Sequence, residues 1–99
     1  MYELTTKETY KGYPTAREKT NFAQVREFDQ LDKLTSSVVE SIMDIHRRFE
    51  VLREWEELDD NCVTKKVLFK RPGKTARLLR TFAVRKKTSY IPKWDDSLI

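Results

Sequence analysis

The chain has one cysteine, one histidine, two glycines and three prolines in 99 residues. Its longest apolar runs, Val67-Leu68-Phe69 and Phe82-Ala83-Val84, are three residues each. Each scarcity excludes something. A lone cysteine cannot close an internal disulfide, which fits a reducing compartment. One His and one Cys cannot supply the usual ligands of a zinc site. Gly12 and Gly73 stand alone, so there is no Gly-rich phosphate loop. Runs of three fall far short of the roughly 20 apolar residues of a membrane helix. The opening Met1-Tyr2-Glu3-Leu4-Thr5-Thr6-Lys7 has no apolar leader and carries Tyr2 where myristoylation requires glycine. The ending Asp96-Ser97-Leu98-Ile99 is not a prenylation box. These features predict an intracellular chain, not secreted and without a membrane partner. Cytoplasm, nucleus, cilium and organelle matrix are not distinguished.

No catalytic constellation assembles either. His46 is expected as a partly exposed helix residue beside Arg47 and Arg48, and Cys62 as a buried, inert thiol. The acidic run Glu54, Glu56, Glu57, Asp59, Asp60 lacks the glycine and spacing of a calcium loop. We therefore expect no enzyme, no catalytic or metal-ligating residue and no cofactor.

What is present is charge, unevenly distributed. Residues 1–60 hold nine Lys/Arg and fourteen Asp/Glu, a net −5, whereas residues 61–99 hold eleven Lys/Arg and two Asp, a net +9. Hydrophobic residues make up 38% of the chain and charged residues 36%. A chain of this size buries only about 60–65% of its unfolded surface, so a core this lean predicts marginal stability.

Three segments follow from local pattern. Residues 1–20 lack apolar periodicity and read as an extended arm; a short ordered strand, packed through Tyr2, Tyr10 and Tyr13, is the alternative. Asn21 followed by Gln24 resembles a capping box, which predicts a helix starting between 22 and 28. Phe28, Leu31, Val38, Ile42, Ile45, Phe49 and Leu52 then recur at threes and fours, interrupted only by Thr35. That 3.5-residue period predicts one amphipathic helix over about 22–58, roughly 45–55 Å long. It exceeds what a small domain can cover, so these residues are the expected interface with another protein chain, in a homo- or hetero-oligomer; the alternative is that the stripe packs on the chain's own C-terminal segment. Leu34, Val39, Met43, Val51 and Trp55 widen the stripe. From Val63 the period changes to two. Arg71-Pro72-Gly73-Lys74 has the composition of a type II turn, and Leu78, Arg80, Phe82 and Val84 alternate with Leu79, Thr81, Ala83 and Arg85. A β-hairpin over about 63–85 is expected; a short helix over Thr75–Arg85 is the alternative. Residues 88–99 form an extended tail.

From Thr64 to Trp94 there are eleven Lys/Arg and no acid. Lys65, Lys66, Lys70, Arg71, Lys74, Arg77, Arg80, Arg85, Lys86 and Lys87 are the candidate polyanion-binding residues, because unopposed like charge is relieved by a polyanion. Tyr10, Tyr13, Tyr90 and Trp94 are candidate aromatic anchors. Part of the charge has a local explanation: the acids of 54–60 are expected to pair with the basic strand that begins at Lys65.

Leu4-Thr5-Thr6-Lys7-Glu8-Thr9-Tyr10-Lys11-Gly12-Tyr13-Pro14 resembles the short Thr-Thr/Lys/Tyr/Pro modules of the stabiliser of axonemal microtubules group, with an echo in Thr88-Ser89-Tyr90-Ile91-Pro92-Lys93-Trp94. The resemblance implies an extended, aromatic-anchored chain on or inside microtubules. It covers residues 4–14, or eighteen residues with the echo. The family's modules repeat, which this chain's do not.

Together these readings predict a single α+β domain over 1–99: an N-terminal arm, one long helix, a basic hairpin and a tail. The expected function is a non-enzymatic structural or assembly subunit that docks through the helix and binds an acidic macromolecular surface, with microtubules a candidate. The alternative is a nucleic-acid-binding protein using the basic half, as a helix-mediated dimer. A small regulator that inhibits another protein through its helix is a third class.

Overall fold

A computed structural model describes residues 1–11 and 18–86. The elements run β1 (Tyr2–Lys11), β2 (Glu18–Phe28), α1 (Leu31–Arg48), β3 (Glu50–Asp59), β4 (Cys62–Lys70) and β5 (Arg77–Lys86). The strands form one five-stranded sheet in the order β2-β1-β5-β4-β3. Every pairing is antiparallel. The helix joins the two edge strands. It leaves β2 at the Tyr2 end of the sheet and delivers the chain to β3 at the Lys70 end, so it crosses one face diagonally.

This architecture overturns the expected fold class. The helix spans 31–48, not 22–58, and strands flank it on both sides. Phe28 and Leu52 fall in heptad phase with the helix, yet they belong to β2 and β3. Two strands abutting a helix thus imitate one longer helix. Asn21 caps nothing: it lies in β2, where its Nδ2 donates to Glu8 Oε2 at 3.2 Å. The N-cap is Gln30, without a side-chain cap bond. Residues 2–11 are no free arm but an inner strand, bonded to β2 on one side and β5 on the other. The basic segment does make two antiparallel strands, but as inner members of the sheet, and β5 replaces the helical alternative for 75–85.

Several local choices have identifiable causes. The helix ends where Phe49 turns extended (φ −133°, ψ 164°) while its N–H still reaches Ile45 O at 2.8 Å. Phe49 then packs on Phe69, ring centroids 4.9 Å apart, and Val51 continues along the core rim. Asp32 in the first turn and His46, Arg47 and Arg48 in the last complement the helix dipole. Between β4 and β5, Lys74 N–H donates to Arg71 O at 3.0 Å and Gly73 has φ +78°, so the expected turn forms with glycine at its left-handed position.

The core lies between the helix and one sheet face: Leu34, Val38, Ile42 and Ile45 from α1 meet Leu4, Val67, Phe69 and Phe82. Fully burying each such side chain contributes about 1.5–3 kcal/mol. Among the described residues no helix covers the opposite face, where Thr5, Lys7, Thr64, Lys66, Thr81 and Ala83 alternate outward. Ile45→Ala is expected to cost about 2–5 kcal/mol in urea unfolding, because Ile45 is fully buried. Leu58→Ala, at a position 76% exposed, is expected to change stability by less than about 0.5 kcal/mol.

Candidate polyanion-binding site

Strand alternation divides the basic segment between two faces. Lys65, Arg80 and Lys86 lie on the helix side, Lys66, Lys70, Arg77 and Arg85 on the open side, and Arg71 and Lys74 at the β4–β5 turn. Lys87 lies outside the described residues.

Four of these seven helix-side and open-side cations, Lys65, Lys66, Lys70 and Arg80, are already neutralised. The β3–β4 register sets the acidic strand beside the basic one. Lys65 Nζ lies 3.8 Å from Glu54 Oε2, Lys66 Nζ 2.9 Å from Glu57 Oε1, and Lys70 Nζ 3.5 Å from Glu50 Oε1. The acid–base matching expected from the sequence is therefore present. His46, half exposed as expected, donates from Nε2 to Glu54 Oε1 at 2.9 Å. Hydrogen bonds from Lys66 and then Trp55 hold the Glu57 carboxyl below its ordinary value of 4.5.

Arg80 is bound more tightly. Its Nη2 donates to Glu8 Oε1 at 2.6 Å and its Nε at 3.1 Å, with side chains only 20% and 12% exposed. The guanidinium also stands over Phe22 and Phe69, at 5.4 and 5.7 Å from the ring centroids. This is an anchor between β1, β2 and the core, not a cation free for a ligand.

Arg71, Lys74, Arg77, Arg85 and Lys86 make no ion pair with any described residue. Three of them gather at one end of the sheet. Arg71 and Lys74 line a cleft of about 300 Å³ together with Tyr10, Asn21, Ala76, Leu78 and Glu8, the carboxylate already bound to Arg80. Arg77 lines a second cleft of about 400 Å³ with Lys70, Leu52 and Thr75. Lys70 Nζ also donates to Lys74 O at 3.3 Å, tying the turn to its strand. Tyr10 is 38% exposed beside Arg71 and Lys74. At this tip Arg71 and Lys74 share one cleft with an amide and an aromatic ring, Arg77 lies on the other face, and none of the three cations has an ion-pair partner among the described residues. Asn21 joins this cleft only through the β1–β2 pairing, so no local sequence pattern marks it.

The remaining expected residues disperse. Val38, Ile42 and Ile45 are buried in the chain's own core; Leu31 is 45% and Leu52 39% exposed; Phe28 and Phe49 are half-buried at the core rim. Tyr13, Tyr90 and Trp94 lie outside the described residues, as do Gly12, Pro14 and 88–94 of the microtubule-like segments; residues 4–11 lie in β1. Cys62 is half-buried with Sγ 3.6 Å from Thr64 Oγ1. Among the described residues no three His, Cys, Asp or Glu are grouped to hold a metal ion. No described helix is long and apolar enough to cross a membrane. The chain matches no protein-family model, no curated protein and no solved structure.

Two outcomes test the electrostatics. Glu8→Ala strands the Arg80 charge and is expected to cost about 3 kcal/mol, against less than about 1 kcal/mol for Lys70→Met at its exposed pair. In an NMR titration Glu57 is expected to protonate below 4.5 and Lys66→Met to move its midpoint back toward that value. Because the folded-state value is depressed, its stabilisation is present above the unfolded value and is lost as pH falls through the folded one.

Proposed function

We propose that this protein is a non-enzymatic binding module that takes nucleic acid on the tip formed by Arg71, Lys74, Arg77 and Tyr10. One observation carries the reading. The cations of β4 are neutralised by β3, while those at the β4–β5 tip have no ion-pair partner among the described residues. Lysine and arginine there suit phosphates, and the exposed Tyr10 ring beside them suits a stacked base. One Asn21 Nδ2 proton is given to Glu8, and charge and ring stacking, rather than a set of base-edge hydrogen bonds, dominate the described residues of the tip. Sequence-tolerant, single-stranded nucleic acid is the class that fits.

A second reading is an assembly subunit that binds the acidic surface of a protein polymer, with microtubules a candidate. The same unpaired cations support it, and residues 4–14 carry the resemblance behind it.

The test is titration of a fluorescent single-stranded oligonucleotide at several salt concentrations. Wild-type affinity should fall steeply with salt. Replacing Arg71, Lys74 and Arg77 by Ala should weaken binding and lower the log–log slope by about two units, at about 0.7 per lost phosphate contact. Unchanged affinity and slope in that variant would sink the nucleic-acid reading. Nuclease-resistant co-pelleting with microtubules that depends on the same residues would favour the second.

A further inference from the structure

The helix has a second apolar row that its own sheet leaves uncovered. Leu31, Thr35, Val39 and Met43 follow one another at i, i+4, alongside the buried row Leu34, Val38, Ile42 and Ile45. Leu31, Val39 and Met43 are 45%, 48% and 53% exposed. Because α1 crosses the sheet diagonally, Leu31, Thr35 and Val39 of this row line a groove of about 260 Å³ whose far wall is Val63 and Val84, and Met43 lies beyond its end. Leu58, 76% exposed, follows Val63 across the β3–β4 ladder on the same face. The polar side chains lining the groove are Thr35, Glu56 and Lys65.

We infer that this row is the contact between two copies of the chain, whose α1 helices pack antiparallel across a two-fold axis at Val39. With the axis there, Leu31 at the end of the row meets the aliphatic stem of Arg47, which lies eight residues to the other side of Val39. Thr35 and Met43 are equidistant from it, so a small side chain meets a large one. Asp32 and His46 are equidistant as well, and Arg47 adjoins, so the acidic first turn of each copy meets the basic last turn of the other. Arg47 is available for this: its one ion-pair contact among the described residues is to Asp44 at 3.9 Å, and its side chain is 69% exposed. Met43 of one copy, unbranched and adaptable, suits the groove beside Thr35 of the other. The inference rests on the apolar row and its charged ends, independently of the nucleic-acid reading. If both hold, the dimer carries two cationic tips, and its avidity exceeds that of one.

Sedimentation equilibrium of the full chain tests it. The wild type should be a concentration-dependent dimer. Val39→Asp should weaken self-association by about 30-fold or more, as loss of a central contact does, with an unchanged thermal melt of the diluted monomer because the side chain is half exposed. Asp32→Arg and Arg47→Glu should each weaken the dimer, and the double variant should restore it. A wild type that stays monomeric at every concentration, a dimer that Val39→Asp leaves intact, or a double variant that fails to recover would overturn the arrangement.

Discussion

The ladder between β1 and β5 is the constraint on which the molecule depends. It joins the β1–β2 hairpin to the β3–β4–β5 meander and sets Leu4 opposite Val84 and Thr6 opposite Phe82. Without it the chain would be two small sheets held by one helix. With it, α1 has a single face wide enough to bury Leu34, Val38, Ile42 and Ile45. The Glu8–Arg80 pair is the polar part of the same ladder, since the two residues stand opposite each other in its register. Breaking either partner leaves a charge among Phe22, Phe69 and the core.

Antiparallel register also decides which charges are spent and which are free. An acidic edge strand beside a basic inner strand neutralises Lys65, Lys66 and Lys70 and discourages edge-to-edge association through β3. The next turn, Arg71-Pro72-Gly73-Lys74, lies at the far end of that ladder, beyond Glu50. Charge that looks uniform along the sequence is therefore compensated along β4 and uncompensated at its tip. The proposed site is where the β3 acids stop and the carboxylate that remains, Glu8, is held by Arg80.

Much of this was legible where the determinants are local. The Pro-Gly turn, the alternation of Leu78 to Val84 and the acid–base matching of 54–60 with 65 onward all depend on residues near one another in the chain. The amphipathic segment Leu34–Ile45 was legible as helix. Its ends were not, because Phe28 and Leu52 continue the heptad phase from neighbouring strands. Residues 2–11 looked like an arm because Leu4 is their one buried hydrophobic; their strand is specified by partners across the chain, in β2 and β5. The expected interface was displaced for the same reason. The sheet that the heptad reading omitted covers Val38, Ile42 and Ile45, and the adjacent row of Leu31, Val39 and Met43 is left open.

The account's central claim is that register leaves the tip free while it occupies the strand behind it. Backbone amide NMR with a single-stranded oligonucleotide addresses this most directly. The account predicts shifts concentrated at Tyr10, Arg71, Lys74 and Arg77, with Lys65 and Lys66 nearly unmoved. Shifts centred on Lys65 and Lys66, or spread evenly over every cation, would contradict it.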